Sequence, residues 1–291
     1  MKEQNQTIKR KSLAQETWSR LIKNKGAVIG MIFLIVLIVS ALLAPVIFDY
    51  ETDIIAQDIP NRLQPPSGKN WFGTDEVGRD LFARVVYGAR YSLAIGIGAV
   101  ALGLVVGTIV GSIAGFYGGV IDVILMRAID IFYSIPNIMT AVVIVSVLGT
   151  STVNLIIALA FSCASSFGRI VRAQVMTIRN QEYVESAYAI GLPTWKIISK
   201  HILPNCLSPI IVQITLLIGS TIISASSLSF LGIGIPAPSP EWGALLSAGR
   251  QFIRSSGYLC VIPGLAVMLT VLALNLLGDG LRDALDPKLR K

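Results

Sequence analysis

Five stretches of this chain contain no charged residue: 26–48, 91–121, 131–168, 202–240 and 255–278. A membrane-crossing helix takes about 20 mainly apolar residues, so each stretch is long enough to cross at least once. Stretch 131–168 is too long for one helix, and "LGTSTVN" at 148–154 reads as a turn dividing it into a third and a fourth span. The second span runs from Tyr91 to about Gly115, just before the Gly-Gly of "GFYGGV". The fifth begins after Pro204 and Pro209 and ends near "GIGIPAPSP", and the sixth occupies 255–278. The pattern predicts an all-α integral membrane protein with six transmembrane helices. Its parts are a polar segment 1–25, a first helix 26–48, a loop 49–90, a five-helix bundle 91–280 and a tail 281–291. Within the bundle, a polar loop 172–204 separates spans four and five.

Composition agrees. Charged residues make up 14% of the chain, against roughly 25% in soluble domains. The net charge of +7 comes from Lys and Arg beside the ends of the apolar runs, where topology calls for them. No aromatic-basic interleave suited to stacking bases accompanies it, which argues against nucleic-acid binding. One side of the membrane is expected to hold Lys2, Lys9, Arg10, Lys11, Arg20, Lys23, Lys25, Arg127, Arg169, Arg172, Arg179, Lys196, Lys200, Arg282, Lys288, Arg290 and Lys291. The other holds Arg62, Lys69, Arg79, Arg84, Arg90, Arg250 and Arg254. This imbalance predicts that both termini and loop 172–204 are cytoplasmic, in a multi-pass cell-membrane protein surrounded by lipid. The first apolar run follows Lys23 and Lys25 but is too long for a signal-peptide core, and Ala44-Pro45 is a poor cleavage site, so it reads as a retained span.

Several groups invite a chemical reading and yield a structural one. Gly103, Gly107, Gly111 and Gly115 recur every fourth residue, which lines them along one helix face and suits close packing within a subunit or between subunits. Cys163, Cys206 and Cys260 stand singly and read as small apolar filler rather than a zinc site or disulfide framework. His201 is the single histidine and has no nearby ligand cluster, so neither a metal site nor a Ser/His/Asp catalytic set is expected. Asp122, Arg127 and Asp130 flank the third span, and Arg127 and Asp130 are spaced to pair with each other. Gly96-x-Gly98 and Gly232-x-Gly234 lack the third glycine of a dinucleotide site. The Gly68-Lys69 step has no phosphate-loop glycine before it and no Ser or Thr after it.

The stretch "EYVESAYAIGLPTWKIISKHILPN" from Glu182 to Asn205 stands apart as two amphipathic pieces around a Gly-Leu-Pro break. Tyr183, Ala187 and Ile190 share one helix face. Gly191 suits a left-handed helix end, Pro193 the first turn of a new helix and Pro204 its close. In the second piece Leu192, Trp195, Ile198 and Ile202 fall on one side, with Lys196 and Lys200 beside them. Three uses fit this bend: a helix on the lipid headgroups, packing beneath the bundle, or a knob docking into a partner's groove.

"ESAYAIG…HILP" resembles the signature of ABC-transporter membrane subunits: Glu-Ala-Ala, three residues, Gly, nine residues, Ile, one residue, Leu-Pro. Glu185, Ala187, Gly191, Leu203 and Pro204 match it, while Ser186 and His201 depart from it. "FGTDEVGRDLFARVVYGARYSL" (72–93) and "SFLGIGIPAPSPEWGALLSAGR" (229–250) are similar to the dipeptide/oligopeptide/nickel permease family, in its C-type membrane subunit. The resemblance covers about residues 15 to 290. It implies that loop 172–204 is a coupling helix seated in an ATP-binding subunit, with Glu185 making polar contacts, Ala187 allowing close approach and Gly191 making the bend. Leu192 and Pro193 belong to that bend, and periodicity adds Trp195 and Ile198 as apolar anchors. The implied partners are a second related permease subunit, two ABC ATPase subunits that carry the ATP and Mg, and an extracytoplasmic solute-binding protein. This chain itself is expected to bind no cofactor and to be no enzyme. Glu241, Trp242 and Arg250 are candidate contacts for the binding protein, since aromatic and Arg side chains are enriched at interfaces. The implied cargo is a peptide, with nickel or a metal chelate as the alternative. An ion- or proton-driven carrier would need paired acidic groups deep in the spans, which the charge-free runs lack, and a scaffolding protein leaves the bend unexplained.

Overall fold

The computed structural model describes residues 13–286. Lys2, Lys9, Arg10, Lys11, Lys288, Arg290 and Lys291 lie outside the described residues. Among the described residues the chain is helical, with no strand beyond an isolated bridge between Thr74 and Asp80. A short helix α1 (Leu13–Leu21) precedes α2 (Lys25–Ile47), which opens on Asn24, whose side-chain oxygen accepts the Ala27 N–H at 3.2 Å. A long loop leads to α3 (Leu81–Tyr117), capped by Asp80 through the Phe82 N–H at 2.8 Å. Then come α4 (Gly119–Ser134), α5 (Asn137–Leu148) and α6 (Thr152–Ile178), the last capped by Ser151. A bend carries α7 (Glu182–Ala189) and α8 (Thr194–Lys196), followed by α9 (Leu207–Phe230), α10 (Trp242–Gly249) and α11 (Tyr258–Leu285).

Five helical runs are long and apolar enough to cross a membrane: α2, α3, α6, the continuous run Thr194–Phe230, and α11. A sixth crossing exists if α4 and α5 count as one, since the pair bends by 90° at its break. Pro136 causes the break. It has no N–H to donate, and it holds Ile135 in an extended conformation with φ −89° and ψ 132°. The expected third span is therefore two short helices.

Two further boundaries differ from the sequence expectation. The second span starts at Leu81 rather than Tyr91, so α3 takes in Arg84 and Arg90 and reaches about 55 Å at 1.5 Å per residue. Pro204 does not end its helix. The chain widens to a π-helical turn over Ile197–Ile202, where the Leu203 N–H reaches the Ile198 carbonyl, and then tightens over Leu203–Cys206 before α9 begins. That change of pitch accommodates the missing Pro204 N–H, and the run continues to Phe230.

Helix ends sort to two sides. Asn24, before α2, reaches Asp283, near the end of α11, at 3.5 Å. Arg179, after α6, donates to the carbonyls of Gly115 and Phe116 at the end of α3, at 2.9 and 3.1 Å. At the opposite end, the Tyr258 hydroxyl at the start of α11 lies 2.9 Å from the carbonyls of Gln64 and Thr74 in the first loop. The bend between α6 and α9 thus shares an end with the termini of the described chain.

The closest helix pair is α3 with α6. A Cβ on Gly107 would sit 2.6 Å from the Ala164 carbonyl oxygen, one on Gly111 2.5 Å from that of Gly168, and one on Gly115 2.8 Å from that of Arg172. Both helices advance four residues per step, so the glycine face of α3 runs along the backbone of α6. Gly103 continues the row, with its Cβ position 2.9 Å from the Ala164 nitrogen. The absent side chains let the two backbones approach and gain dispersion contacts that lipid would not match.

Candidate functional site

The bend after α6 is built as a helix stop followed by a restart. Gly191 has φ +77°, a conformation that a Cβ disfavours. Its N–H bonds to the Tyr188 carbonyl at 2.9 Å, and the Leu192 N–H bonds to the Ala187 carbonyl at 3.2 Å. This is the double bond pattern of a Schellman stop, completed by apolar contact of Leu192 with the cluster that holds Ala187. Pro193, with φ −67° and ψ 143°, sits just before α8 and accepts the Lys196 N–H at 2.9 Å. It therefore caps the new helix from outside rather than occupying its first turn.

One face of the elbow is anchored in the bundle. Val184, Ala187, Ile197 and Ile202 are buried among Phe116, Val171 and Val175, with Leu192 and Ile198 packed at the edge. Tyr188 stacks on Phe116 at 5.9 Å, and its phenol is shifted above its ordinary pKa by burial and by neighbouring Tyr117, against the opposing pull of Arg179. Asn205 donates to the Tyr183 hydroxyl at 3.2 Å and to the His201 carbonyl at 2.7 Å, tying α7 to the turn before α9. The other face is open. Ile190 is 76% exposed and Trp195 64% exposed, Tyr183 and Glu185 are also outward, and Lys196 lies 5.5 Å over the Trp195 ring.

Helix α4 is tied to α6 beside the elbow. Arg172 makes a two-pronged bond to the Asp122 carboxylate, both arms at 2.5 Å, and Arg169 bonds Asp130 at 2.7 Å while lying 4.0 Å over the Tyr133 ring. Asp130 therefore pairs with Arg169 and not with Arg127, because α6 lays its guanidinium alongside α4.

At the opposite end stands a buried knot of charge. The Asp75 carboxylate accepts the Arg79 backbone N–H at 2.9 Å, Arg79 Nε at 2.7 Å and Arg84 Nη1. Arg84 also donates to the Pro238 carbonyl at 3.0 Å, and Arg79 to Glu76 at 3.1 Å. Next to it, Glu241 caps α10 by accepting the Gly243 and Ala244 N–H groups at 2.9 Å and takes the Ser92 hydroxyl at 3.2 Å. The Trp242 indole donates to the Val85 carbonyl at 2.9 Å.

The sequence has counterparts among known proteins. Residues 107–291 match the family model described as binding-protein-dependent transport system inner membrane component. The chain belongs to that family. Residues 12–66 of this permease match the N-terminal transmembrane domain of oligopeptide transport permease C. The permease is 47% identical over 277 residues to the dipeptide transport system permease protein DppC of Alkalihalophilus pseudofirmus, across 95% of this chain and 90% of the relative. It is 46% identical over 275 residues to the glutathione transport system permease protein GsiD of Escherichia coli, across 94% and 90%. It is thus a multi-pass ABC permease subunit of the dipeptide/oligopeptide type, which carries transport and is not an enzyme.

Placed on this permease, the residues expected at the elbow divide. Ala187, Leu192 and Ile198 face the bundle, Glu185, Gly191, Pro193 and Trp195 face outward, and Ile190 leaves the face it was expected to share with Ala187. Val184 and Ile197 were missed, although both are apolar residues, Val184 beside Glu185 and Ile197 beside Lys196. Glu241 and Trp242 are fully buried, so they hold loop 231–241 to α3 and are not available to a docking protein. Arg250 remains exposed, over the Phe230 ring at 5.5 Å. The Asp75 knot was not foreseen. Its signal was the dense charge of "TDEVGRDLFAR", which sets three acids and two arginines within eleven residues.

Proposed function

We propose that this permease is the C-type membrane subunit of an ATP-driven importer for di- and oligopeptides, with the open face of the elbow seated in a cytoplasmic ATPase subunit. Two ATPases bearing ATP and Mg, a second related permease and an extracytoplasmic binding protein complete the machine, and both termini are cytoplasmic. The observation that carries this reading is the elbow itself. It projects Ile190 and Trp195 outward at the end of the bundle where lipid-facing packing gives no reason for them. A short amphipathic helix held by a rigid stop suits docking into a groove. The peptide cargo is supported by the two relatives named for dipeptide and glutathione transport, glutathione being itself a short peptide. Within the elbow, Glu185 is assigned polar contact with the ATPase, Trp195 the apolar anchor, and Gly191 with Pro193 the fixed angle.

Purification of the tagged permease from its native membrane tests this. Two ATPases and a second permease should accompany it, and the reconstituted complex should hydrolyse ATP faster when peptide-loaded binding protein is added. Stable peptide uptake with no ATPase present would remove the reading.

A further inference from the structure

Six polar side chains converge on one cavity between α5, α6 and α9, with Asn137 and Ser220 at its exposed rim. Asn137 of α5, Ser162 and Ser166 of α6, and Ser220, Thr221 and Ser224 of α9 line a space of about 60 Å³. One turn further along the same two helices, a groove of about 500 Å³ opens toward the elbow end, lined by Gln174 of α6, Gln213 of α9 and Arg282 of α11. Ser166 leads to Ile170, and Leu217 to Gln213, so the cavity and the groove follow each other along α6 and α9.

The hydrogen bonding of this strip is incomplete. Ser220 and Ser224 bond back to carbonyls of their own helix at 3.1 and 3.0 Å. Among the described residues, the side chains of Asn137, Ser162, Ser166, Gln174 and Gln213 have no hydrogen-bond partner within the chain. Asn137 lies at the α4–α5 break, far from the ends of α6 that reach the headgroups. Lipid tails offer nothing to pair with such groups, and polar residues at membrane depth face a bundle interior or a wet path. The outward face of α2, by contrast, shows Ile29, Val36, Leu42 and Val46.

We infer that this strip of α5, α6 and α9 is the wall of the translocation path, and that it recognises the amides of a peptide main chain rather than cargo side chains. The inference rests on the peptide-importer reading above. Hydroxyl and carboxamide groups both donate and accept, which matches the N–H and C=O that every peptide repeats. The cavity lining carries no charge to select one side chain over another, the nearby Asp130 and Arg169 neutralise each other, and the groove's two charged residues, Arg282 and Asp286, are of opposite sign and lie off α5, α6 and α9. Weak, repeated, uncharged contacts let cargo enter and leave again.

Cysteine labelling tests it in the complete reconstituted importer. Cys163, Cys206 and Cys260 are first replaced by Ala or Ser, and then Ser166→Cys, Ser224→Cys, Gln213→Cys and Leu272→Cys are introduced one at a time. Leu272 is half exposed on α11 and serves as the lipid-facing reference. The probe is a positively charged, membrane-impermeant methanethiosulfonate, which reacts only with thiolate. The three strip positions should label at least about tenfold faster than Leu272→Cys, because each unit of pKa rise on desolvation removes about nine-tenths of the thiolate. Dipeptides of unlike side chain should slow the labelling of Ser224→Cys equally. Labelling no faster than at Leu272→Cys overturns the wall, and protection by only one class of side chain overturns main-chain recognition. ATP hydrolysis stimulated by binding protein in the same preparations reports on the importer reading separately.

Discussion

Gly191 has open space around it, with nothing within 4 Å of where a Cβ would sit, so only its backbone angle demands glycine. An alanine there would hold φ +77° at a cost of roughly 1–2 kcal/mol, and asparagine, which tolerates that region, at less. Proline cannot hold it at all, and it also deletes the N–H that bonds to the Tyr188 carbonyl. Gly191→Asn should therefore keep peptide uptake, while Gly191→Pro should abolish transport-coupled ATP hydrolysis and leave membrane insertion intact. Uptake and ATPase assays on matched proteoliposomes decide this, and normal coupling in the proline variant would show that the elbow angle does not matter. The neighbouring Trp195 makes a different prediction, since its ring is mostly outside the bundle. Trp195→Ala should leave the melting temperature of the isolated permease within a degree or two while weakening recovery of the ATPase, as truncation of an exposed aromatic anchor does at interfaces. Equal loss of stability and of ATPase recovery would assign the ring to folding.

Among the elements, the α3–α6 pair carries the tightest packing, and glycine substitutions separate packing from propensity. Gly107→Ala forces a methyl to within 2.6 Å of the Ala164 carbonyl oxygen and should destabilise by about 1–3 kcal/mol through overpacking. Gly264→Ala lies inside α11 with its nearest neighbour at 3.8 Å, and should be neutral or stabilising by about 0.5–1 kcal/mol from helix propensity. Thermal unfolding in one detergent compares the two, and a reversed order would mean that the glycine row is not the contact. The spacing of Gly103, Gly107, Gly111 and Gly115 was readable in the sequence, but its partner helix was not, because spacing defines a face and says nothing of what covers it. Charge-free runs located α2, α6, α9 and α11 for the same physical reason that lipid excludes charge. That logic missed the start of α3, where Arg84 sits inside the helix with Asp75 folded over it. It also missed the α4–α5 break, although "SIPN" carried the proline that makes it. Pairing of Asp130 with Arg169, 39 residues apart, depends on helix rotation, which no local pattern encodes.

Across the whole molecule, the two ends are braced differently. The end opposite the elbow rests on Asp75, a buried carboxylate shared by two arginines that tie the first loop to α3 and to Pro238. Asp75→Ala leaves both guanidinium groups buried without it and should cost about 3–5 kcal/mol, read as lost thermal stability with the elbow untouched. The elbow end is braced helix to helix instead. Arg179 grips the last carbonyls of α3, Tyr188 stacks on Phe116 of the same helix, and the glycine row fixes α3 to α6. Helix α7 is thus held to α3, and through the glycine row to α6, while α9 is joined through the π-helical turn over Ile197–Ile202. If these two links carry the stroke, the Arg179→Ala and Tyr188→Ala double variant should still bind ATPase and hydrolyse ATP, yet import fewer peptides per ATP. The two single variants should each show part of the loss without adding up to it, since both links serve the same contact. Counting peptides imported per ATP in proteoliposomes measures this, and an unchanged ratio in the double variant would move the stroke to α9.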